Sequence, residues 1–154
     1  MGNSGLLFSS AALAERLGLS EKVAPLKAVI LVGEDRFDMA YDDTGGKATP
    51  LLLIHGFPLD RTLWEAQKQG LADVARVITP DLRGCGESGM PHGNVTMDAY
   101  ADDLRGLLDK LGVENVVVGG LSMGGYITFA FYRKYPHRVR GLILAYTKAG
   151  ADST

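Results

Sequence analysis

The strongest constraint on what this chain can fold into is a serine set between glycines, Gly120-Leu121-Ser122-Met123-Gly124, where one structural period gives way to another. Before it runs Val116-Val117-Val118, a β-branched stretch that packs best on a pleated surface. After it the pattern is helical to about Tyr135, so the backbone must turn sharply from strand to helix at Ser122. A glycine at 120 and another at 124 remove side chains where such a turn presses strand and helix backbones together, and Gly125 extends the clearance. A serine displayed on this kind of elbow faces backbone amide donors, which an intrinsically weak nucleophile needs.

The surrounding chain repeats the strand-then-helix alternation of βαβ units and predicts an α/β fold with a mostly parallel sheet. Leu51–Ile54, Arg76–Thr79, Asn115–Val118 and Leu142–Leu144 read as strands, three of them continuous apolar runs of the kind buried on both faces. Met97, Tyr100, Ala101, Leu104, Leu108 and Leu111 recur at helical spacing, with Asp98, Asp102, Arg105 and Asp109 opposite them. Thr96 is placed to cap that helix and Gly112 to end it. Ahead of the turn-rich Asp42-Asp43-Thr44-Gly45-Gly46, two strands at Lys27–Val32 and Arg36–Tyr41 form an antiparallel hairpin through Gly33-Glu34-Asp35. Residues 1–26 read as an N-terminal extension, helical over Ala11–Leu17 and closed by Gly18, with the folded domain covering 27–154.

Composition narrows the function. The 154 residues are 46% hydrophobic and carry 16 basic and 18 acidic side chains, for a net charge of −2. That suffices for one globular core and leaves no basic stripe for nucleic acid or an anionic membrane. Apolar runs are too short to span a bilayer, and no basic residue precedes Leu6-Leu7-Phe8 as a secretory leader would require. The opening Met-Gly lacks the Ser or Thr that myristoylation calls for at the sixth position, which is Leu6. A single cysteine, Cys85, cannot form an internal disulfide and fits a reducing, cytoplasmic setting. The three histidines have no metal-ligand spacing, so no metal is expected.

Three of the strands run into motifs: His55-Gly56-Phe57-Pro58 after Ile54, Asp81-Leu82-Arg83-Gly84-Cys85-Gly86-Glu87-Ser88 after Thr79-Pro80, and the serine elbow after Val118. In a parallel sheet these ends share one edge, where open α/β folds place their ligands. Together, over residues 28 to 150, they resemble the α/β-hydrolase family, and within it the esterases, enol-lactonases and cofactor-free perhydrolases. The resemblance implies Ser122 as nucleophile, the backbone amides of Phe57 and Met123 as oxyanion hole, and a small carboxylic ester or lactone as substrate, with no cofactor. It also implies that Gly56, Asp81, Arg83, Gly120 and Gly124 support the motifs, and that Phe57 lines the acyl pocket with Trp64 nearby. A serine at 122 sets the chain apart from the haloalkane dehalogenase and epoxide hydrolase branches, which attack through a carboxylate.

Other side chains have plainer readings. His55 reads first as a hydrogen-bonded residue beside the oxyanion loop, and as a general base only second; His92 reads as solvent-exposed. Asp81 and Arg83 read as a charged pair holding a glycine-rich loop. Cys85 fills a small-residue slot, and Tyr126, Phe129, Phe131 and Tyr132 pack the elbow helix. The family's order is Ser, then an acid, then His, whereas here only His137 and Asp152 follow Ser122, in reverse order. A helix of the length read here carries His137 roughly 17 Å away, to the far end of the sheet. The fold class is therefore a truncated α/β-hydrolase core. Three functions fit it: a hydrolase that recruits its base from His55, His92 or a partner subunit, a non-catalytic binding module, or a fragment of a longer enzyme. Leu142–Leu144 would be an open apolar edge, which predicts a homo-oligomer.

Overall fold

The structure, a computed structural model, describes residues 26–32, 35–92 and 95–150. Its six strands form a single sheet in the order β1-β2-β4-β3-β5-β6. β1 (Leu26–Val32) and β2 (Asp35–Asp43) pair antiparallel, from Leu26 opposite Tyr41 to Val32 opposite Asp35. β2 pairs antiparallel with β4 (Ala75–Pro80), and β4, β3 (Thr49–Ile54), β5 (Val116–Leu121) and β6 (Val139–Ala145) run parallel. This is the α/β architecture of a mostly parallel sheet with an antiparallel hairpin at one edge. Gly33 and Glu34 of the hairpin turn lie outside the described residues, as do the helix read at Ala11–Leu17 and the rest of residues 1–25.

Both faces of the sheet are covered, which is why its central strands read as unbroken apolar runs. Leu52, Ile54, Ile78, Val116 and Val118 point to one side and pack with helices α2 (Met97–Lys110) and α3 (Met123–Lys134). The alternate residues Leu51, Leu53, Val77 and Val117 point to the other side, against Trp64 and Leu71. Trp64 belongs to a 3-10 turn (Arg61–Trp64) that leads into the short helix α1 (Glu65–Leu71). Its indole therefore packs beneath the sheet, where it was expected beside the acyl pocket.

Helix α2 has the predicted caps: the Thr96 hydroxyl accepts the Ala99 N–H at 3.1 Å, and Gly112 follows the helix at a φ of 65°. Asp42 and Asp43, expected in a turn, extend β2 opposite Thr79 and Ile78. Their charges are met there, Asp43 by Arg76 at 2.6 Å and Asp42 by Arg61 and Lys68, so strand pairing overrides their turn preference. β6 is one of the two edge strands, with Ile143 and Leu144 exposed. Of the four aromatics assigned to packing the elbow helix, Phe131 is fully buried, Tyr126 and Phe129 are half-buried, and Tyr132 faces solvent. No helix among the described residues is long and apolar enough to cross a membrane.

Candidate active site

Strands β3, β4 and β5 are parallel, so the loops after Ile54, Pro80 and Leu121 meet on one edge of the sheet. Ser122 sits there between β5 and α3 with φ 52° and ψ −116°, a conformation that side-chain-bearing residues seldom adopt. Its N–H donates to the Ala145 carbonyl of β6 at 2.9 Å, and its own carbonyl accepts the Gly125 N–H at 2.8 Å. The residue is exposed. The glycines are required by contact: a β-carbon at Gly120 would stand 2.6 Å from the Gly125 nitrogen, and one at Gly124 2.8 Å from the His55 carbonyl. Gly56 lies against Ser122 from the β3 side, its missing β-carbon falling 3.3 Å from that of the serine. Gly125 leaves a notch filled by Thr147, whose hydroxyl is buried without a hydrogen-bond partner.

His55 is fully buried, and both of its ring nitrogens are taken. Nε2 accepts the Leu82 N–H at 3.0 Å, which places the ring proton on Nδ1, 2.9 Å from the Gly56 carbonyl. Burial holds this imidazole below its ordinary titration range, against the opposing pull of the Gly56 carbonyl and the Asp81 charge. With neither nitrogen free, His55 cannot take a proton from Ser122 in this arrangement. What it does is join the loop after β3 to the loop after β4.

Asp81 and Arg83 each hold a loop, but not by pairing with one another. The Asp81 carboxylate accepts the Arg61 N–H at 2.7 Å, the Arg61 guanidinium at 2.5 Å and the Glu87 N–H at 2.8 Å. Burial works against the Arg61 charge, but Glu87 and Asp81 outweigh it and keep the guanidinium firmly protonated. Arg83 instead forms a buried two-pronged pair with Asp103 of α2, both contacts at 2.6 Å. Arg61 and Asp103 were not singled out in the sequence. Asp103 left one sign, an acid among the apolar positions of α2.

His92 is exposed in the loop before α2. His137 is exposed in a 3-10 turn (Pro136–Arg138) that precedes β6, at the sheet end opposite Ser122. Asp152 lies outside the described residues. Burial pushes the Cys85 thiol up, away from the reactive thiolate. Among the described residues no group of His, Cys, Asp and Glu is placed to hold a metal ion. Phe57 and Tyr146 stand exposed beside the elbow, at 71% and 94%.

Known proteins share this fold. A thermophilic esterase from Thermogutta terrifontis superposes with a TM-score of 0.77 at 52% identity, covering 85% of this chain and 48% of the esterase. A Synechocystis sp. protein described as a candidate non-heme chloroperoxidase is 38% identical over 120 residues, 75% of this chain and 43% of that protein. A soluble epoxide hydrolase from Corynebacterium sp. is 39% identical over 95 residues, 62% of this chain and 32% of the hydrolase. The chain thus spans less than half the length of these relatives. The family model for the alpha/beta hydrolase fold matches residues 49–152, which include the three loops that meet at Ser122. The chain belongs to the α/β-hydrolase family.

Proposed function

We propose that Ser122 is the nucleophile of a serine hydrolase that cleaves small carboxylic esters or lactones through an acyl-enzyme. The observation that carries this reading is the backbone of Ser122, held at φ 52° on an exposed strand-to-helix turn. A non-glycine residue in that region costs about 1 to 3 kcal/mol and persists only where the surroundings enforce it. Ser122 Oγ attacks the ester carbonyl, the alcohol leaves, and water then releases the acid and regenerates the hydroxyl. The first amides of a helix lack intrahelical acceptors, so the Met123 N–H at the start of α3 is suited, with the Phe57 N–H across from it, to the oxyanion. Each such donor contributes about 3 kcal/mol to the transition state. A serine in place of a carboxylate favours ester cleavage over the epoxide chemistry of the Corynebacterium relative.

A second reading concerns the base. His55 is fully engaged and His137 lies at the far end of the sheet, so the proton acceptor comes from His92, from a partner or from residues outside this sequence. The share of each relative that is covered favours the last: these residues form the N-terminal portion of a longer hydrolase. Activity of the 154 residues alone is then expected to be weak, supported by the oxyanion donors only.

Hydrolysis of p-nitrophenyl acetate, together with mass-spectrometric mapping of a fluorophosphonate adduct, tests the reading. The expected result is an adduct on Ser122 and loss of both adduct and turnover in Ser122→Ala with the fold intact. Unchanged turnover in that variant would move the chemistry to another residue. Neither turnover nor adduct in the unsubstituted chain would count against Ser122 as a working nucleophile within these 154 residues.

A further inference from the structure

Arg61 is a buried arginine at the far end of the loop that begins with Gly56. Its backbone N–H and its guanidinium both reach the Asp81 carboxylate, at 2.7 Å and 2.5 Å. The rest of the fork extends to Asp42 of β2 at 3.3 Å and to Glu87 of the glycine-rich loop at 2.9 Å. One side chain thus joins its own loop to β2, to the end of β4 and to the loop beyond it. Asp81 is fully buried and accepts the Glu87 N–H as well, and the chain presses so close that a β-carbon at Gly86 would stand 2.2 Å from a carboxylate oxygen. Taking such charges out of water offsets most of what their attraction returns, so a buried pair of this kind adds little net stability. What it enforces is position, because a planar fork meets several carboxylates in few arrangements.

The loop that Arg61 closes is the one that carries Phe57. Gly56 seats its near end on the elbow, where a β-carbon would fall 3.1 Å from the Leu121 carbonyl and 3.3 Å from the Ser122 β-carbon. Residues 57–60 bond only locally: the Leu59 N–H returns to the Gly56 carbonyl at 2.9 Å, and Asp60 accepts from Thr62 and Leu63. Phe57 and Leu59 are exposed, so burial does not hold the stretch either. The first residue beyond it with hydrogen bonds to another part of the molecule is Arg61. A donor that serves an oxyanion must lie about 2.7 to 3.1 Å from it, and a misplacement of about 1 Å costs on the order of a hundredfold in rate.

We propose that Arg61 is a positioning residue: by clamping Asp42, Asp81 and Glu87 it fixes the far end of this loop and so sets the Phe57 N–H where an oxyanion formed at Ser122 is met. The proposal rests on the serine-hydrolase reading above. The hydrogen bonds that Arg61 donates all go to those three carboxylates, so it acts through the loop alone.

Phenylboronic acid is the probe, because the Ser122 Oγ adds to its boron with loss of the hydroxyl proton and leaves a tetrahedral anion shaped like the ester intermediate. The chain is labelled with nitrogen-15 in its Phe and Met residues, and the Phe57 and Met123 amides are assigned by Phe57→Leu and Met123→Leu. In the unsubstituted chain both signals should shift at saturation, with tetrahedral boron seen by boron-11 NMR and absent in Ser122→Ala. Arg61→Lys keeps a positive charge beside Asp81 but not the fork. There the Phe57 shift should fall to less than half while Met123 keeps its own, and the boronate should bind on the order of tenfold more weakly. A merely structural role would reduce both amides together. That result, or an unchanged Phe57 response, overturns the proposal. If Arg61→Lys does not fold, Glu87→Gln loosens one arm of the clamp at an exposed carboxylate and should reduce the Phe57 shift in the same sense; no reduction there is equally fatal. The ligand-free Phe57 signal separates this proposal from the reading beneath it, since it should move or broaden in Arg61→Lys with Met123 unmoved. That change with no adduct on the unsubstituted chain sinks the nucleophile reading and upholds the positioning; an adduct with an indifferent Phe57 signal does the reverse.

Discussion

At Ser122 the chain accepts strain in exchange for display. Its φ of 52° with ψ of −116° belongs to a region open to glycine, and the surrounding contacts leave it no alternative. Ser122→Gly is therefore expected to raise stability to urea by about 1 kcal/mol while abolishing ester hydrolysis. A variant no more stable than the unsubstituted chain would show the turn to be relaxed as it stands. The elbow was readable because every part of it is local: β-branched residues, then small ones, then a helical period, within about twenty residues. Tyr146 was not readable. Its position depends on the register of β6 against β5 and on the fit of Thr147 to Gly125, neither of which leaves a trace in local composition.

At the level of elements, His55 shows how one side chain ties strand ends together. It is neutral because the Leu82 N–H needs an acceptor at Nε2 and because burial disfavours charge. The unfolded chain, with an ordinary imidazole, binds a proton more readily than the folded one, so stability is present above about pH 6.5 and falls as pH drops through the folded value. Lowering the pH from about 7.5 to about 5.5 should therefore destabilise the fold. Urea midpoints at the two pH values check it against His55→Gln, which should lose less over the same interval. Equal losses would assign the pH dependence elsewhere. The depressed carboxylates of Asp43, Asp60 and Asp102, starting from 3.8, and of Glu65, starting from 4.5, titrate below this interval. The element pattern was largely legible in the sequence, since buried parallel strands and an amphipathic helix announce themselves by period. The partners of the charged groups were not: Asp81 and Arg83 are two residues apart, yet they reach Arg61 and Asp103, each 20 residues distant along the chain. Proximity in sequence suggested a pair that the loop geometry does not make.

For the whole molecule, both outer strands of the sheet leave apolar side chains in solvent: Leu26 and Leu31 on β1, which carries α2 on one face, and Ile143 and Leu144 on β6, at 49% and 44% exposure. An open strand edge with apolar side chains favours pairing with another chain. The expected outcome is association of the 154-residue chain through β6, seen by light scattering across a concentration series and reduced by Ile143→Lys. A monomer at all concentrations would count against it. Within each molecule the edge around Ser122 is also more unified than a set of separate loops suggests. The amide of Arg61 is held by the Asp81 carboxylate, that of Glu87 by the same carboxylate, and that of Leu82 by the His55 ring. Two of these amides, those of Arg61 and Leu82, thus keep their protons by means of a side chain from the neighbouring loop, and Asp81 serves both its own loop and the one before it. In deuterium these three amides should therefore exchange at one common rate, set by a single opening of the whole edge and slower than exposed loop amides would show alone.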